Sequence, residues 1–310
     1  MNHTTDSRSV VAVDGLRHRY RTREVLHDLR FEVPEGAIYA LLGANGTGKS
    51  TLLRLIAGIT PVQTGQVTLW NTDVGRLSLA ERQRIAYVAE GQQLPRGLRL
   101  SQLEAYCAPL YPTWDRQLAS SLRSRFGLDA KQRVSEMSRG ERMKVSLLLA
   151  LAARPRLLIM DEPFTGMDVA VKDELVRGLL DSIGEHGWSV LVATHDIAEI
   201  EMMADWVGFL REGRLAVSSS LDALQEQYGH LEIQREAGIR VRTDASWPDD
   251  WRLVQEAGGR ISALIPRVSE PELAAVVRRV AGENASHSLS GPTLRELYLG
   301  LGHAQPGTLP

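Results

Sequence analysis

The sequence predicts an α/β protein with a mostly parallel sheet covered on both faces, followed by a small α+β unit. Three observations predict it. Strand-length apolar runs alternate with helix-length segments; the run at 37–42 leads directly into a glycine-rich loop and a helix; and the pattern changes after residue 220. Strands that are apolar on both faces fit a buried parallel sheet, because a half-exposed strand would alternate with polar residues.

Residues 10–13 and 29–33 read as strands around a basic turn. The run 37–42 (AIYALL) is a buried strand, and 51–57 (TLLRLIA) is the helix after the loop, closed by Gly58. The stretch 64–74 alternates and carries a turn, as an antiparallel edge does, and 85–89 is a short strand. From 100 to about 134 the pattern is helical and polar, with a break at Tyr111, Pro112, Thr113 and Trp114. Residues 157–160 and 189–193 are continuous apolar strands, and a helix at about 169–183 joins them. Beyond 220, short alternating runs (HLEIQ, IRVRT, RISALIP) accompany a helix with Leu273, Val276, Val277 and Val280 on one buried face. The boundaries expected are a first domain at 1–220, an accessory α+β domain at 221–303 and a frayed tail at 304–310.

Composition narrows the function. Of 310 residues, 43% are hydrophobic and 24% charged, as in ordinary globular proteins. A net charge of −2 gives no global field for nucleic acid, and no nucleic-acid partner is expected. Cys107 is the single cysteine, which excludes an internal disulfide and a cysteine-built metal site and fits a reducing compartment. The start, MNHTTDSRSV, lacks the apolar core of a signal peptide, and the apolar run from Val145 is broken by Arg154 and Arg156, too early to span a bilayer. Work at a membrane would need a second chain to supply the spanning part.

The chemistry is concentrated in GANGTGKST at 43–51. Gly43, Gly48, Lys49 and Ser50 fit G-x-x-x-x-G-K-[ST]. Small residues let successive N–H groups of Gly43, Ala44, Asn45, Gly46, Thr47, Gly48, Lys49, Ser50 and Thr51 turn around a phosphate chain. Lys49 would reach the terminal phosphates, and the Ser50 hydroxyl would hold Mg²⁺, while the following helix aims its positive end at the phosphates. LLIMDE at 157–162 then sets two carboxylates at the end of a buried strand. Asp161 is assigned to the metal and Glu162 to the general base that polarises the attacking water.

The order of these motifs resembles the ATP-binding subunit of an ABC transporter across most of residues 10–218. The further residues that carry the resemblance are MSRGE at 137–141 in the place of the signature, FTGMD at 164–168 in the place of the D-loop, His195 in LVATHD as the switch histidine, and Tyr20 at the distance of the aromatic residue that stacks on adenine. The resemblance implies a P-loop NTPase of ABC type, with a mostly parallel core sheet, an antiparallel β edge and a helical subdomain at about 91–152. It implies ATP and Mg²⁺ as cofactors. It also implies that two ATPase subunits, identical or different, pack head to tail. Ser138, Arg139, Gly140, Glu141 and Asp168 of one would then complete the nucleotide site of the other, with His195 and Glu162 catalytic beside Lys49. Arg139 and Glu141 depart from the usual glycine and glutamine of the signature. Glu90 stands where the family's Q-loop glutamine is expected; it reads either as a replacement Mg²⁺ ligand or as a strand-end acid.

CAPLYPTWDR at 107–116 lies where such subunits dock their membrane partner. Tyr111 and Trp114 read equally as part of a docking groove or as packing of the helical subdomain. RHRYRTR at 17–23, flanking Tyr20, reads as a nucleotide-side loop or a solvated hairpin. MSRGERMK, CAPLYPTWD and LRELYLGLG resemble the branch that serves ABC-2 type exporters. The expectation is an ATPase subunit on the cytoplasmic side of the cell membrane, powering transport, preferably export, through a separate transmembrane permease. The alternatives are an importer subunit, or a soluble nucleotide-gated switch without a permease.

Overall fold

In the computed structural model, which describes residues 8–89, 91–167, 169–235 and 247–302, the chain forms two compact units, Met1–Leu215 and Ala216–Pro310. Glu90, Asp168, the IRVRT run and the tail from 304 lie outside the described residues.

The first unit opens on a hairpin of β1 (Ser9–Tyr20) and β2 (Arg23–Pro34), longer than the apolar runs alone suggest. Leu16 and His18 alternate inward along its outer half while Arg17, Arg19 and Tyr20 face out, so the basic stretch is a solvated hairpin end. β3 (Ile38–Leu42) is buried at every residue and delivers the phosphate loop into α1 (Lys49–Ile56). β4 (Thr64–Leu69) and β5 (Thr72–Asp73) complete an antiparallel sheet in the order β2-β1-β4-β5. The turn between them uses Trp70 and Asn71, both at positive φ, the geometry that lets a tight hairpin match strand twist.

A short α2 (Leu79–Arg82), locked by a Ser78–Glu81 capping box, leads to β6 (Ile85–Ala89). Three helices follow, α3 (Leu100–Cys107), α4 (Arg116–Arg125) and α5 (Arg139–Ala152), with the expected break falling between α3 and α4. Then come β7 (Leu157–Asp161), α6 (Val169–His186), β8 (Ser189–Thr194), β9 (Trp206–Arg211) and β10 (Arg214–Ser220). The second sheet runs β10-β9-β3-β8-β7-β6, and β6–β7, β7–β8, β8–β3 and β3–β9 are all parallel pairs. β9 and β10 are not evident in the sequence reading. Their hairpin turns at Glu212 and Gly213, both at positive φ.

Register places the site. Leu42 pairs with Thr194, and Asp161 with Ala193, so β3, β7 and β8 end at one level. Chain leaving those ends must converge, and the carboxyl edge of a parallel sheet is where α/β folds bind ligands.

The second unit begins with α7 (Leu221–Gln227) and is an antiparallel sheet of β11 (Tyr228–Gln234), β12 (Arg252–Ala257), β13 (Arg260–Pro266) and β14 (Ser286–Ser290), in the order β12-β13-β11-β14. α8 (Glu270–Ala281) buries Leu273, Val277 and Val280 in one cluster with Leu231, Ile233, Ile261 and Ala263. The period of 3.6 in the helix thus meets the period of 2 in the strands, each supplying one apolar face. α9 (Leu294–Leu301) closes the unit and packs on β12 and β13.

Candidate active site

The phosphate loop is shaped by two close approaches. Gly43 lies under the β9 backbone, where a Cβ would stand 2.4 Å from the Leu210 carbonyl oxygen. Gly48 has φ +107 and caps α1, and a Cβ there would meet Leu26 at 2.6 Å. Only glycine serves at both positions. Thr47 closes the loop by donating its hydroxyl to the Ala44 carbonyl at 2.9 Å, and Ala44, Asn45 and Gly46 stay exposed at the rim. Thr51, half-buried, continues α1. The helix starts at Lys49, two residues before the apolar run, because Gly48 supplies the cap.

Lys49 is 5% exposed and donates to the Gly43 and Ala44 carbonyls at 2.6 and 3.2 Å. Its ammonium also stands 3.2 Å from Glu162 Oε1. That contact lacks hydrogen-bond geometry, so Glu162 Oε1 is a buried oxygen without a donor. The other oxygen, Oε2, is crowded: His195 Nδ1 lies at 2.8 Å, Thr194 Oγ1 at 3.2 Å and Thr165 Oγ1 at 3.3 Å. Burial pushes the Glu162 carboxyl up, but the His195 hydrogen bond and the Lys49 charge outweigh it and hold the group below its ordinary value. Glu162 itself takes φ +49, a conformation a bulky L-residue rarely adopts, with its N–H donating to the Ala193 carbonyl at 2.9 Å. Strain of this kind persists where the surroundings over-determine it, and such places are often functional.

One residue earlier, Asp161 accepts from Ser50 Oγ at 3.0 Å and from the Tyr87 hydroxyl at 3.3 Å. Burial raises its carboxyl above the usual range, opposed by those two hydrogen bonds. Burial and the Asp161 charge together push Tyr87 up to about 12. Among the described residues no group of three or more His, Cys, Asp or Glu could cage a metal. Mg²⁺ usually takes one or two protein oxygens and completes its shell with phosphates and water. The two expected ligands Ser50 and Asp161 stand side by side, 3.0 Å apart; Glu90, the third expected ligand, lies outside the described residues.

Lys49, Ser50, Asp161, Glu162 and His195 are therefore brought together at the strand ends. Tyr20, Ser138, Gly140 and Glu141 are not part of that cluster, whereas Arg139 lines a cleft shared with Glu162 and Thr165. Tyr20 is 47% exposed on β1, its ring edge-on to His18 with centroids 4.8 Å apart. Ser138 caps α5, accepting the Glu141 N–H at 3.1 Å while Glu141 accepts the Ser138 N–H at 2.7 Å. The backbone hydrogen bond to Ser138 holds the Glu141 carboxyl low. Ser138 and Arg139 are exposed, Gly140 and Glu141 half-buried, and the Arg139 guanidinium lies against Gly166. Asp168 lies outside the described residues. Tyr87, Thr165 and Thr194 were not identified from sequence: a lone tyrosine or threonine has no spacing rule, parallel pairing carries Tyr87 and Thr194 to the carboxylates, and the turn after β7 folds Thr165 back on Glu162.

Comparison with known proteins bears on the family and the fold. The ABC transporter family profile matches residues 26–165. The ABC transporter ATP-binding protein YtrB of Bacillus subtilis (strain 168) is 28% identical over 259 residues, spanning 84% of this chain and 85% of that protein. The Fe(3+) ions import ATP-binding protein FbpC of Streptomyces coelicolor is 33% identical over 254 residues, 77% of this chain and 70% of that one. A solved structure described as the ATP binding subunit of an ABC transporter superposes with a TM-score of 0.64 at 26% identity, over 70% of this chain and 92% of its own.

Proposed function

Because this chain belongs to the ABC transporter ATP-binding family, whose members are ATPases that power transport, we propose that Glu162 is its general base and that hydrolysis drives a solute through a separate transmembrane permease. The observation that carries the assignment is the asymmetry of Glu162: Oε2 has His195, Thr194 and Thr165 within hydrogen-bond reach, while Oε1 is buried and faces only Lys49.

The γ-phosphate of ATP would displace Lys49 Nζ from the loop carbonyls and take its charge. Ser50 and Asp161 would hold Mg²⁺, which neutralises phosphate charge when bound. A water on Glu162 Oε1 attacks the γ-phosphorus; its proton passes to the carboxylate as the bond to the β,γ-bridging oxygen breaks and ADP leaves. His195, on the opposite oxygen, keeps the carboxylate oriented and is placed to meet the developing phosphate charge. Tyr20, exposed on β1, would stack on adenine.

The second subunit enters through the signature. The start of α5 leaves Ser138 and Arg139 exposed, with Gly140 and Glu141 half-buried behind them, and in this reading the segment contacts another molecule. Together with Asp168, it would close the nucleotide site of a partner ATPase, identical or different. Among the described residues no helix is long and apolar enough to cross a membrane, so the permease would be another chain, with this subunit peripheral on the cytoplasmic side. Export is the preferred direction on the likeness of 137–144, 107–115 and 294–302 to exporter-type ATPases. FbpC, named for import, favours the opposite direction.

Light scattering of wild type and Glu162→Gln in Mg²⁺ and ATP tests the scheme. A stable dimer in the mutant alone supports both the base and the nucleotide-closed pair. Two monomers would remove self-association, and normal turnover in Glu162→Gln would remove the base. Flux in vesicles carrying the co-purified permease decides direction.

A further inference from the structure

Thr194 ends β8 with its hydroxyl between two carboxylates. Oγ1 lies 3.2 Å from Glu162 Oε2 and 3.0 Å from Glu199 Oε2, and accepts the Asp196 N–H at 3.0 Å. The side chain is fully buried, and Glu199 is buried too. A hydroxyl carries one proton, so Thr194 can donate to one carboxylate at a time. Glu162 and Glu199 compete for it.

The group on the far side of Glu199 biases that competition. Lys172 Nζ donates to Glu199 Oε1 at 2.5 Å and stands 3.6 Å from Asp196 Oδ2. A buried carboxylate needs a counter-charge or added donors, and Lys172 supplies the charge. Lys172 stands in the first turn of α6, four residues after Asp168.

We infer that Lys172, Glu199 and Thr194 form a positioning relay that sets how Glu162 is held and ties the start of α6 to the general base. The inference rests on Glu162 being that base. With Lys172 on Glu199, the Thr194 proton serves Glu162 Oε2, fixing that oxygen beside His195 and leaving Oε1 toward the attacking water. Without the ammonium, Glu199 draws the Thr194 proton to itself, and Glu162 loses an orienting donor in a buried network where each bond polarises the next. Asp168 is the residue expected to meet the partner's nucleotide. The relay therefore runs from the segment that would sense the second subunit to the group that takes the water's proton.

The test is a double-mutant cycle on the full chain with steady-state ATP turnover, equilibrium ATP binding and thermal unfolding read in parallel. Lys172→Met and Thr194→Val should each lower kcat about tenfold or more, with KM and the equilibrium Kd for ATP unchanged. The double variant should be no slower than the slower single variant, because both changes remove the same donor. Thr194→Ser and Lys172→Arg, which keep the hydroxyl and the charge, should retain most turnover. Multiplying effects, or losses confined to the melting temperature or Kd, would overturn the relay and leave an ordinary structural ion pair. Glu162→Gln run alongside separates the two claims. If it turns over normally, the base and the relay fall together; if it is inactive while Lys172→Met and Thr194→Val match wild type, the relay alone falls.

Discussion

Both units bury a cation next to a carboxylate, and the two pairs are built differently. In the second unit Arg235, 7% exposed, is bonded through both arms of its fork: Nη1 to Glu256, and Nη2 to the Val280 carbonyl at 3.0 Å. It ties β12 to the end of α8. In the first unit Lys49 and Glu162 lie 3.2 Å apart, yet Glu162 Oε1 has no hydrogen bond and Lys49 is parked on its own loop's carbonyls. A buried cation bonded through both arms of its fork holds a fold. A lysine resting on its own loop beside a carboxylate can exchange those partners for a phosphate, and loosely matched buried polar groups are where function is sought.

That contrast can be broken by substitution, in descending order of effect. Lys49→Ala should abolish ATP binding measured by calorimetry while leaving the fold intact; retained affinity would make Lys49 structural, like Arg235. Glu162→Gln should lower kcat by about 10²–10⁴ with nucleotide still bound, and its melting temperature should not rise, because His195 and Lys49 hold the carboxylate in its charged form. Arg235→Met should affect stability alone. It should cost about 2 kcal/mol in chemical denaturation, below the usual figure for breaking a buried pair because Glu256 stays partly exposed, and it should leave ATP affinity unchanged. Were Arg235→Met to weaken ATP binding, the separation of the two roles would fail. Ser138→Ala should cost about 1 kcal/mol as a lost helix cap; if dimerisation in Glu162→Gln protein also disappears, the capping hydroxyl has a second role.

The smallest effect sharpens the comparison within the first unit. His18 is 2% exposed with neither ring nitrogen bonded, and burial lowers its value from 6.5. The unfolded chain therefore binds the proton more readily, so stability rises with pH through this window and is lost as pH falls below 6.5 toward the folded value. As pH falls below 6.5 the melting temperature of wild type should drop relative to that of His18→Leu, which lacks the titrating ring. Parallel curves would mean that His18 stays neutral in both states.

Legibility differed by kind of residue. Gly43, Gly48, Lys49 and Ser50 were readable because a backbone cradle needs small residues at set intervals, and local spacing is preserved in the chain. Glu162 and Asp161 were readable only because the phosphate loop stands upstream; two acids at the end of an apolar run would otherwise read as an ordinary solvated strand end. α8 was readable from its 3.6 period. Tyr87, Thr194, Glu199 and Lys172 were not. They act through neighbours 74, 32, 5 and 27 residues away, and their residue types are equally at home in any strand or helix.

The sequence by itself determined the strand–loop–helix cradle, the carboxylate pair and the amphipathic faces of both units, because each depends on residues close in the chain. Tertiary structure decided which oxygen of Glu162 is held and which is left open. That depends on β3, β7 and β8 ending at one level, so that residues far apart in the chain share a single buried carboxylate, and long-range register of this kind has no local signature.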